Sequence, residues 1–430
     1  MTDMPDLNDD RVYKKVVRSW AMYDWANSAF YTTVVAVMFP PYFHEMAKAS
    51  GLSGDVASAY WGYITSITML VVAVIGPVLG AMADHLGRRK YLVAAFAYAG
   101  SLATASFIVL GETSWMLGAG LYMCAMACVA GSLIFYESLL PHISRPGDMD
   151  RVSAFGYALG YVGGGTLLVV NALWVMRPAW FFMPDSGFAL KASFVSVAVW
   201  WSLFTTPFLR NVPDPAPRPT GGRSAILAGL SSLRSTFREI GKYRELVKFL
   251  VAFWFYNSGI TSVILMAAIY AKELGMAREE VVLPFVLTQF VGVPASMAFA
   301  SAAKRFGTKR MVLFGLCCYV LISGAAFFMQ EVWHLYVLAV AVGLVMGGTQ
   351  SLSRSLFGSM VPPKHSAEFF GFMSTSSKFA GVVGPFVFGF VTQLTGNTRW
   401  GVVSLIALFA IGIVSLLSLR EKEAAAQAAA

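Results

Sequence analysis

Residues 76–90 read GPVLGAMADHLGRRK. An apolar helix with glycines at 76 and 80 runs into a turn bearing Asp84, Gly87, Arg88, Arg89 and Lys90. Glycines four apart let a second helix approach the backbone closely, and Gly87 permits the turn. A weaker copy stands later in the chain, where ADHLGRRKYLV (83–93) aligns with AKRFGTKRMVL (303–313). Other pairs keep the same order: Asn27-Ser28 matches Asn257-Ser258, and Pro141 with FGY (155–157) matches Pro362 with FGF (370–372). Repeats in a shared order predict two similar halves.

Composition says what kind of halves these are. Of 430 residues, 57% are hydrophobic and 13% charged, with a mean hydropathy of +0.64. Soluble domains carry about 25% charged residues, so the chain reads as a polytopic membrane protein. The net charge of +9 does not point to nucleic acid, because the basic residues sit in short loops between apolar runs. Cys124, Cys128, Cys317 and Cys318 all fall inside apolar runs and read as buried packing residues. His44, His85, His142, His334 and His365 are scattered without metal-ligand spacing. No GxxxxGK[ST] loop is present, so neither ATP-driven transport nor an enzyme activity is expected. No cofactor and no metal are expected.

Twelve apolar runs are long enough to span a bilayer: 20–43, 57–83, 90–110, 114–140, 153–176, 188–210, 245–272, 281–303, 310–329, 333–358, 368–395 and 399–419. The predicted class is an all-α membrane protein of two six-helix bundles, 20–210 and 245–419. Tails at 1–19 and 420–430 flank them, and a linker at 211–244 joins them. The linker starts proline-rich, and its second part has amphipathic spacing that predicts a helix along the membrane surface. The first tail lacks a signal-peptide shape, so the first helix is expected to be retained. With the N-terminus in the cytoplasm, 25 of the 32 Lys and Arg fall on the cytoplasmic side and six on the other, leaving Lys378 inside a helix. That imbalance predicts both termini in the cytoplasm.

Twelve helices with GxxxDxxGRR between helices 2 and 3 resemble the major facilitator superfamily. Gly80, Asp84, Gly87, Arg88 and Arg89 fit its loop motif, and His85 departs from it. SWAMYDWANSAFYTTV (19–34), FYESLLPHI (135–143), GYALGYVGGG (156–165) and SLSRSLFGSMVPPKHSAEFFGF (351–372) are similar to the branch that contains the autophagy-related vacuolar amino-acid effluxers. The resemblance implies a secondary transporter, an exporter of amino acids or similar small solutes, working by alternating access. It implies a cytoplasmic latch at Asp84, Arg88 and Arg89. The second copy has Lys304 where the acid would stand, and reads as a topology marker rather than a second latch. GYALGYVGGG is also similar to the GxxxGPxxGG signature of antiporting exporters. Tyr161 replaces its proline, and its glycines predict close contact with a helix of the other half.

Ionisable residues at membrane depth are costly and mark function. Lys378 lies about ten residues into helix 11, with Ser374 one turn earlier on the same face. It reads either as a substrate-carboxylate anchor or as a structural ion pair. Asp24 lies in helix 1, with Asn27, Ser28 and Tyr31 along the same stripe. It is a candidate proton acceptor or partner of a basic residue. Asn27 and Asn257 are expected on helices that face each other across the cavity. Glu137 and Arg354 end helices 4 and 10 and could form a gate salt bridge, with Gln350 one turn before Arg354. Tyr157 and Tyr161 share a face of helix 5, as cavity lining or as packing. The expected partners are the bilayer and a small-molecule substrate, with no nucleic acid, the protein acting as a monomer in a bacterial inner membrane. Coupling to a proton gradient is an option through Asp24 or Glu137. A lipid or lysolipid flippase on the same fold is the alternative, and a non-transporting receptor a third.

Overall fold

The computed structural model describes residues 7–217, 224, 227–229, 231–232, 234, 243–273, 278–421 and 423–424. The chain is all-α. The first span, α1, is one continuous helical run: Asp10–Ala29, a π-helical stretch Phe30–Met38, and Phe39–Ala49. The others are α2 Gly54–Leu86, α3 Arg89–Ala105, α4 Trp115–Ser138, α5 Met149–Met176, α6 Ser186–Asn211, α7 Arg244–Glu273, α8 Arg278–Phe306, α9 Thr308–Ala326, α10 Val332–Met360, α11 Ser366–Thr395 and α12 Thr398–Leu417. Among the described residues, eleven helices from α2 onward are long and apolar enough to cross a membrane, which makes this a multi-pass membrane protein. The π-helical stretch breaks the regular period of α1, an irregularity that is frequent at functional sites. Nothing in the apolar pattern of the chain announces it.

Side chains and glycines set the helix ends. Asp185 accepts a hydrogen bond from the Phe188 N–H at 2.7 Å and starts α6. Gly87 closes α2 at φ +59° and Gly396 closes α11 at φ +65°, left-handed positions that glycine takes without steric cost.

Each half has its own buried core. One is built from α1 to α6 around Trp20, Phe39, Tyr136 and Trp201; the other from α7 to α12 around Phe249, Tyr319, Phe357 and Phe409. Two residues cross over: Ala367 of α11 belongs to the first core, and Tyr161 of α5 packs against the second. The halves meet where α2 lies on α11 and where α5 lies on α8 and α10.

Loops 2–3, 4–5 and 8–9 cluster at one end of the bundle, called the basic end below. The linker joins them there. Asp214 accepts from the Lys90 N–H at 2.8 Å, and Pro217 packs on Gly87. Further on, Gly229 lies against the backbone of Ala81 and Met82, and Ser232 Oγ donates to Glu368 Oε2 at 3.0 Å. The amphipathic pattern predicted a helix along the membrane surface. Of the described residues in that segment, Gly229 and Ser232 meet the ends of α2 and α11; residues 230, 233 and 235–242 of it lie outside the described residues.

Candidate functional site

The opening stretch builds the contact between α2 and α11. Gly76 and Gly80 face α11 so closely that a Cβ at Gly80 would collide with the Ala367 carbonyl. Gly371 in turn faces the Gly76 carbonyl. This approach puts Asp84, one turn beyond Gly80, under the first turn of α11. Asp84 accepts from the N–H of Ala367 at 3.1 Å and of Glu368 at 3.0 Å. Helix N-termini favour anions there because their first N–H groups lack helical partners. Arg89 completes the pair at 2.5 Å and also donates to Ser138 O (3.1 Å) and Ser366 Oγ (2.7 Å). Arg88, expected beside it, is exposed and takes no part in these bonds. One arginine of the two therefore forms the contact between halves.

The second copy, read as a topology marker rather than a second latch, also makes contacts to the N-terminal half. Lys304 Nζ lies 3.5 Å from Asp148 Oδ1, and Thr308 Oγ1 donates to Asp150 Oδ2 at 2.6 Å. Asp150 also accepts from Ser355 Oγ of α10. The copy does tie the halves together. The acids come from the N-terminal half, at the start of α5, and the basic and hydroxyl groups come from the C-terminal half.

Deeper in, the expected Glu137–Arg354 salt bridge does not form. Arg354 instead takes Asp24, with NH1 and NH2 each 3.3 Å from Asp24 Oδ2. Tyr136 Oη donates to the same oxygen at 2.8 Å. Arg354 Nε donates to Ser153 Oγ (2.9 Å) and NH2 to Ser153 O (2.8 Å). Asp24 reaches Arg354 because α5 presses against α1. Gly156, Gly160, Gly163 and Gly164 face Asp24, Ser28, Trp25 and Thr32 of α1. The glycine row was expected to contact the other half. Two of them do so, Gly156 facing the Arg354 guanidinium of α10 and Gly165 facing Gln289 and Phe290 of α8; Gly160, Gly163 and Gly164 pack within the N-terminal half. The contact across halves falls to Tyr161, whose ring sits 3.1 Å from where a Cβ of Gly292 would lie and 2.6 Å from one at Gly347.

Above this contact two cavities meet. The larger, about 510 Å³, is lined at its floor by Asp24, Asn27, Ser28, Tyr31, Glu137, Tyr157, Tyr161, Gln350 and Arg354. It runs away from the basic end between apolar walls of the C-terminal half that include Ile264, Phe285, Leu338 and Leu405. The smaller, about 150 Å³, shares Glu137, Tyr157, Gln350 and Arg354 and adds Asn257, Ser374, Ser377 and Lys378. Glu137 of α4 and Lys378 of α11 thus face one polar pocket from opposite halves. Among the described residues no ion pair joins them to each other or to a third group. Asn257 Nδ2 donates to Ser377 Oγ at 3.4 Å, whereas Asn27 turns its amide back to Tyr23 O at 2.6 Å. Asn27 is thus held by its own helix, although it lines the larger cavity.

Sequence reasoning passed over Ser153, Ser377, Trp20 and Tyr136. Trp20 and Tyr136 stood inside the quoted motifs SWAMYDW and FYES, which was the signal available. Among the described residues no cluster of His, Cys, Asp or Glu is suited to a metal.

Comparison with known proteins places the chain. Residues 13–429 match the family described as vacuole effluxer Atg22 like. The uncharacterized MFS-type transporter YxiO of Bacillus subtilis is 33% identical over 414 residues, which cover 95% of this chain and 96% of that one. Autophagy-related protein 22-1 of Penicillium rubens is 25% identical, over 83% of this chain and 74% of its own. Among solved structures, the human organic anion transporter MFSD10 (TETRAN) superposes with a TM-score of 0.73 at 15% identity, covering 94% of this chain and 99% of that one, a likeness of fold alone.

Proposed function

The chain belongs to the Atg22-like vacuole effluxer family and is an MFS-type transporter, and from that premise we propose that it exports an amino acid or similar zwitterion by alternating access. The observation that carries the proposal is the pocket between Glu137 and Lys378. Two opposite charges at membrane depth, without a mutual ion pair, are costly to keep apart. A zwitterion relieves both at once, its ammonium on Glu137 and its carboxylate on Lys378. Asn257, Gln350 and Ser374 supply hydrogen bonds around the head group, and the larger cavity takes the side chain. A neutral sugar would leave both charges uncompensated.

In this reading the basic end faces the cytoplasm of a bacterial inner membrane, as the 25 to 6 imbalance of Lys and Arg suggests. The contacts of Asp84 and Arg354 then close the cytoplasmic side, and the described state faces outward. Asp24 and Glu137 are the carboxylates available for proton coupling. The protein works as a monomer without a cofactor and catalyses no chemical reaction.

The test is a thermal-shift screen of the purified full chain across amino acids, dipeptides, sugars and lysolipids. A ligand at about 100 times its Kd stabilises by about 2.7 kcal/mol, well within detection. Amino acids should stabilise the wild type and lose that effect in Lys378→Ala and Glu137→Gln, both still folded. Undiminished stabilisation in both variants refutes the site. A response to lysolipids alone would favour the flippase instead.

A further inference from the structure

Arg354 is enclosed by aromatic rings as well as by Asp24. Its guanidinium carbon lies 4.5 Å from the ring centre of Tyr157, 5.0 Å from that of Trp20 and 5.8 Å from that of Tyr136. Rings at such distances attract a cation through their negative faces, and the attraction grows when water is excluded. Arg354 is 2% exposed and Trp20 and Tyr136 are fully buried. Ser153 adds a carbonyl and a hydroxyl, both accepting from the guanidinium.

Every wall of this enclosure belongs to the N-terminal half: Trp20 and Asp24 on α1, Tyr136 on α4, Ser153 and Tyr157 on α5. Its occupant alone comes from α10, in the other half. Three of the walls, Trp20, Tyr136 and Asp24, are also held together without the occupant, while the Ser153 hydroxyl donates to Ser351 O of α10 at 2.7 Å. Trp20 and Tyr136 stack at 4.4 Å with 13° between their planes, and Trp20 Nε1 donates to Tyr136 O at 3.2 Å. Tyr136 Oη orients the Asp24 carboxylate. Gly156 leaves no room for a side chain between Asp24, Trp20 and Arg354, so the wall atoms are in contact and their spacing is set.

We propose that the N-terminal half carries a built binding site for organic cations of the guanidinium and alkylammonium class, which Arg354 fills as an internal ligand. When the halves part at the basic end, α10 withdraws Arg354. The cage then stands open, with one carboxylate, two oxygen acceptors and three ring faces. An external cation that enters it competes with Arg354 and holds the halves apart. The cage adjoins the proposed substrate site without coinciding with it: Tyr157 and Arg354 also line the Glu137–Lys378 pocket and Asp24 the larger cavity, whereas Trp20, Tyr136 and Ser153 line neither. The inference rests on the alternating-access part of the proposed function, but its test requires neither transport nor an amino acid.

The probe is methylguanidinium, with methylurea as the neutral control of similar shape. Purified full-length Arg354→Ala should show a saturable rise in melting temperature of a few degrees with methylguanidinium and none with methylurea. Adding Asp24→Asn should abolish the rise. If Arg354→Ala does not accumulate as folded protein, Arg354→Gln takes its place. A second measurement keeps Arg354. With Cys124, Cys128, Cys317 and Cys318 replaced by Ser, buried Ser138→Cys reports opening at the basic end through its reaction with a water-soluble maleimide. Saturating methylguanidinium should raise that rate by about fivefold, the lower end of ordinary coupling between two sites. An unchanged rate with methylguanidinium, or an equal response to methylurea in either experiment, overturns the proposal. Amino-acid stabilisation that survives in a protein insensitive to methylguanidinium would remove the cage and leave the zwitterion pocket standing.

Discussion

Gly80→Ala adds one methyl group to the face of α2 that meets α11. The Cβ would overlap the Ala367 carbonyl oxygen, lie 2.7 Å from the carbonyl carbon and 3.1 Å from Glu368 Cα. All three are backbone atoms, so no side chain can swing aside. Bringing the carbonyl carbon alone out to the 3.4 Å of ordinary contact requires about 0.7 Å of separation between the helices, and the nearer carbonyl oxygen requires more. Overpacking of this kind costs about 1–3 kcal/mol. Asp84 sits one turn further along, and the same separation stretches its bonds to the Ala367 and Glu368 N–H groups, now 3.1 and 3.0 Å. Hydrogen bonds to a charged group contribute about 1.5–3 kcal/mol each. Even partial loss takes the total to about 3 kcal/mol, which changes the ratio of closed to open states more than a hundredfold, since about 1.4 kcal/mol is tenfold. The assay is maleimide labelling of Ser138→Cys from the basic end, alone and with Gly80→Ala. The control is Gly62→Ala on the same helix, where a Cβ meets nothing within 4 Å. There the change should only remove the helix penalty of glycine, about 1 kcal/mol. Equal labelling in the Gly80 and Gly62 variants would refute the argument that glycine at this position holds the halves closed.

Three further outcomes follow from the same contacts. Arg89→Ala leaves Asp84 buried with only two N–H donors and should destabilise by about 3–5 kcal/mol; Asp84→Ala in the same chain should recover part of that loss in a denaturation series. Lys304→Ala should shift stability by less than about 1 kcal/mol, because its pair with Asp148 is half exposed and screened by water, and a larger loss would show that this pair is a principal fastening. At the N-terminus the Arg145 guanidinium bonds Asp10 and holds its carboxyl below the usual carboxylate range. A depressed carboxyl favours the folded contact above the ordinary value and loses that preference as pH falls through the depressed one. The protection factor of the first-turn amides of α1, their exchange taken relative to the intrinsic rate at each pH, should therefore fall on acidification below the ordinary carboxylate range, and Asp10→Asn should remove that dependence.

Helix content, eleven of the twelve expected spans and the pairing of two halves were readable from the chain because membrane burial imposes a local rule: each span must be apolar over its whole length and satisfy its own backbone. The turn at 83–93 and its copy at 303–313 were legible for the same reason, since glycine and charge at a helix end act on their immediate neighbours. The candidate site was legible only as a set of residue types. Asp24, Glu137, Arg354 and Lys378 stood out because charge is rare at such depth. Their partners did not, since Arg354 meets Asp24 across 330 positions of sequence while Glu137 is left facing Lys378. Which acid takes the arginine depends on how closely α5 lies on α1, set by Gly156 and Gly160, and so on a packing geometry that residue spacing along one helix does not contain. The fastening at the second copy was hidden for the same reason: its acids, Asp148 and Asp150, lie on the other half of the chain. Local pattern determines what each helix is. Only the tertiary structure decides which charges meet, because an ion pair forms over a few ångströms of space, whatever the length of chain between its members.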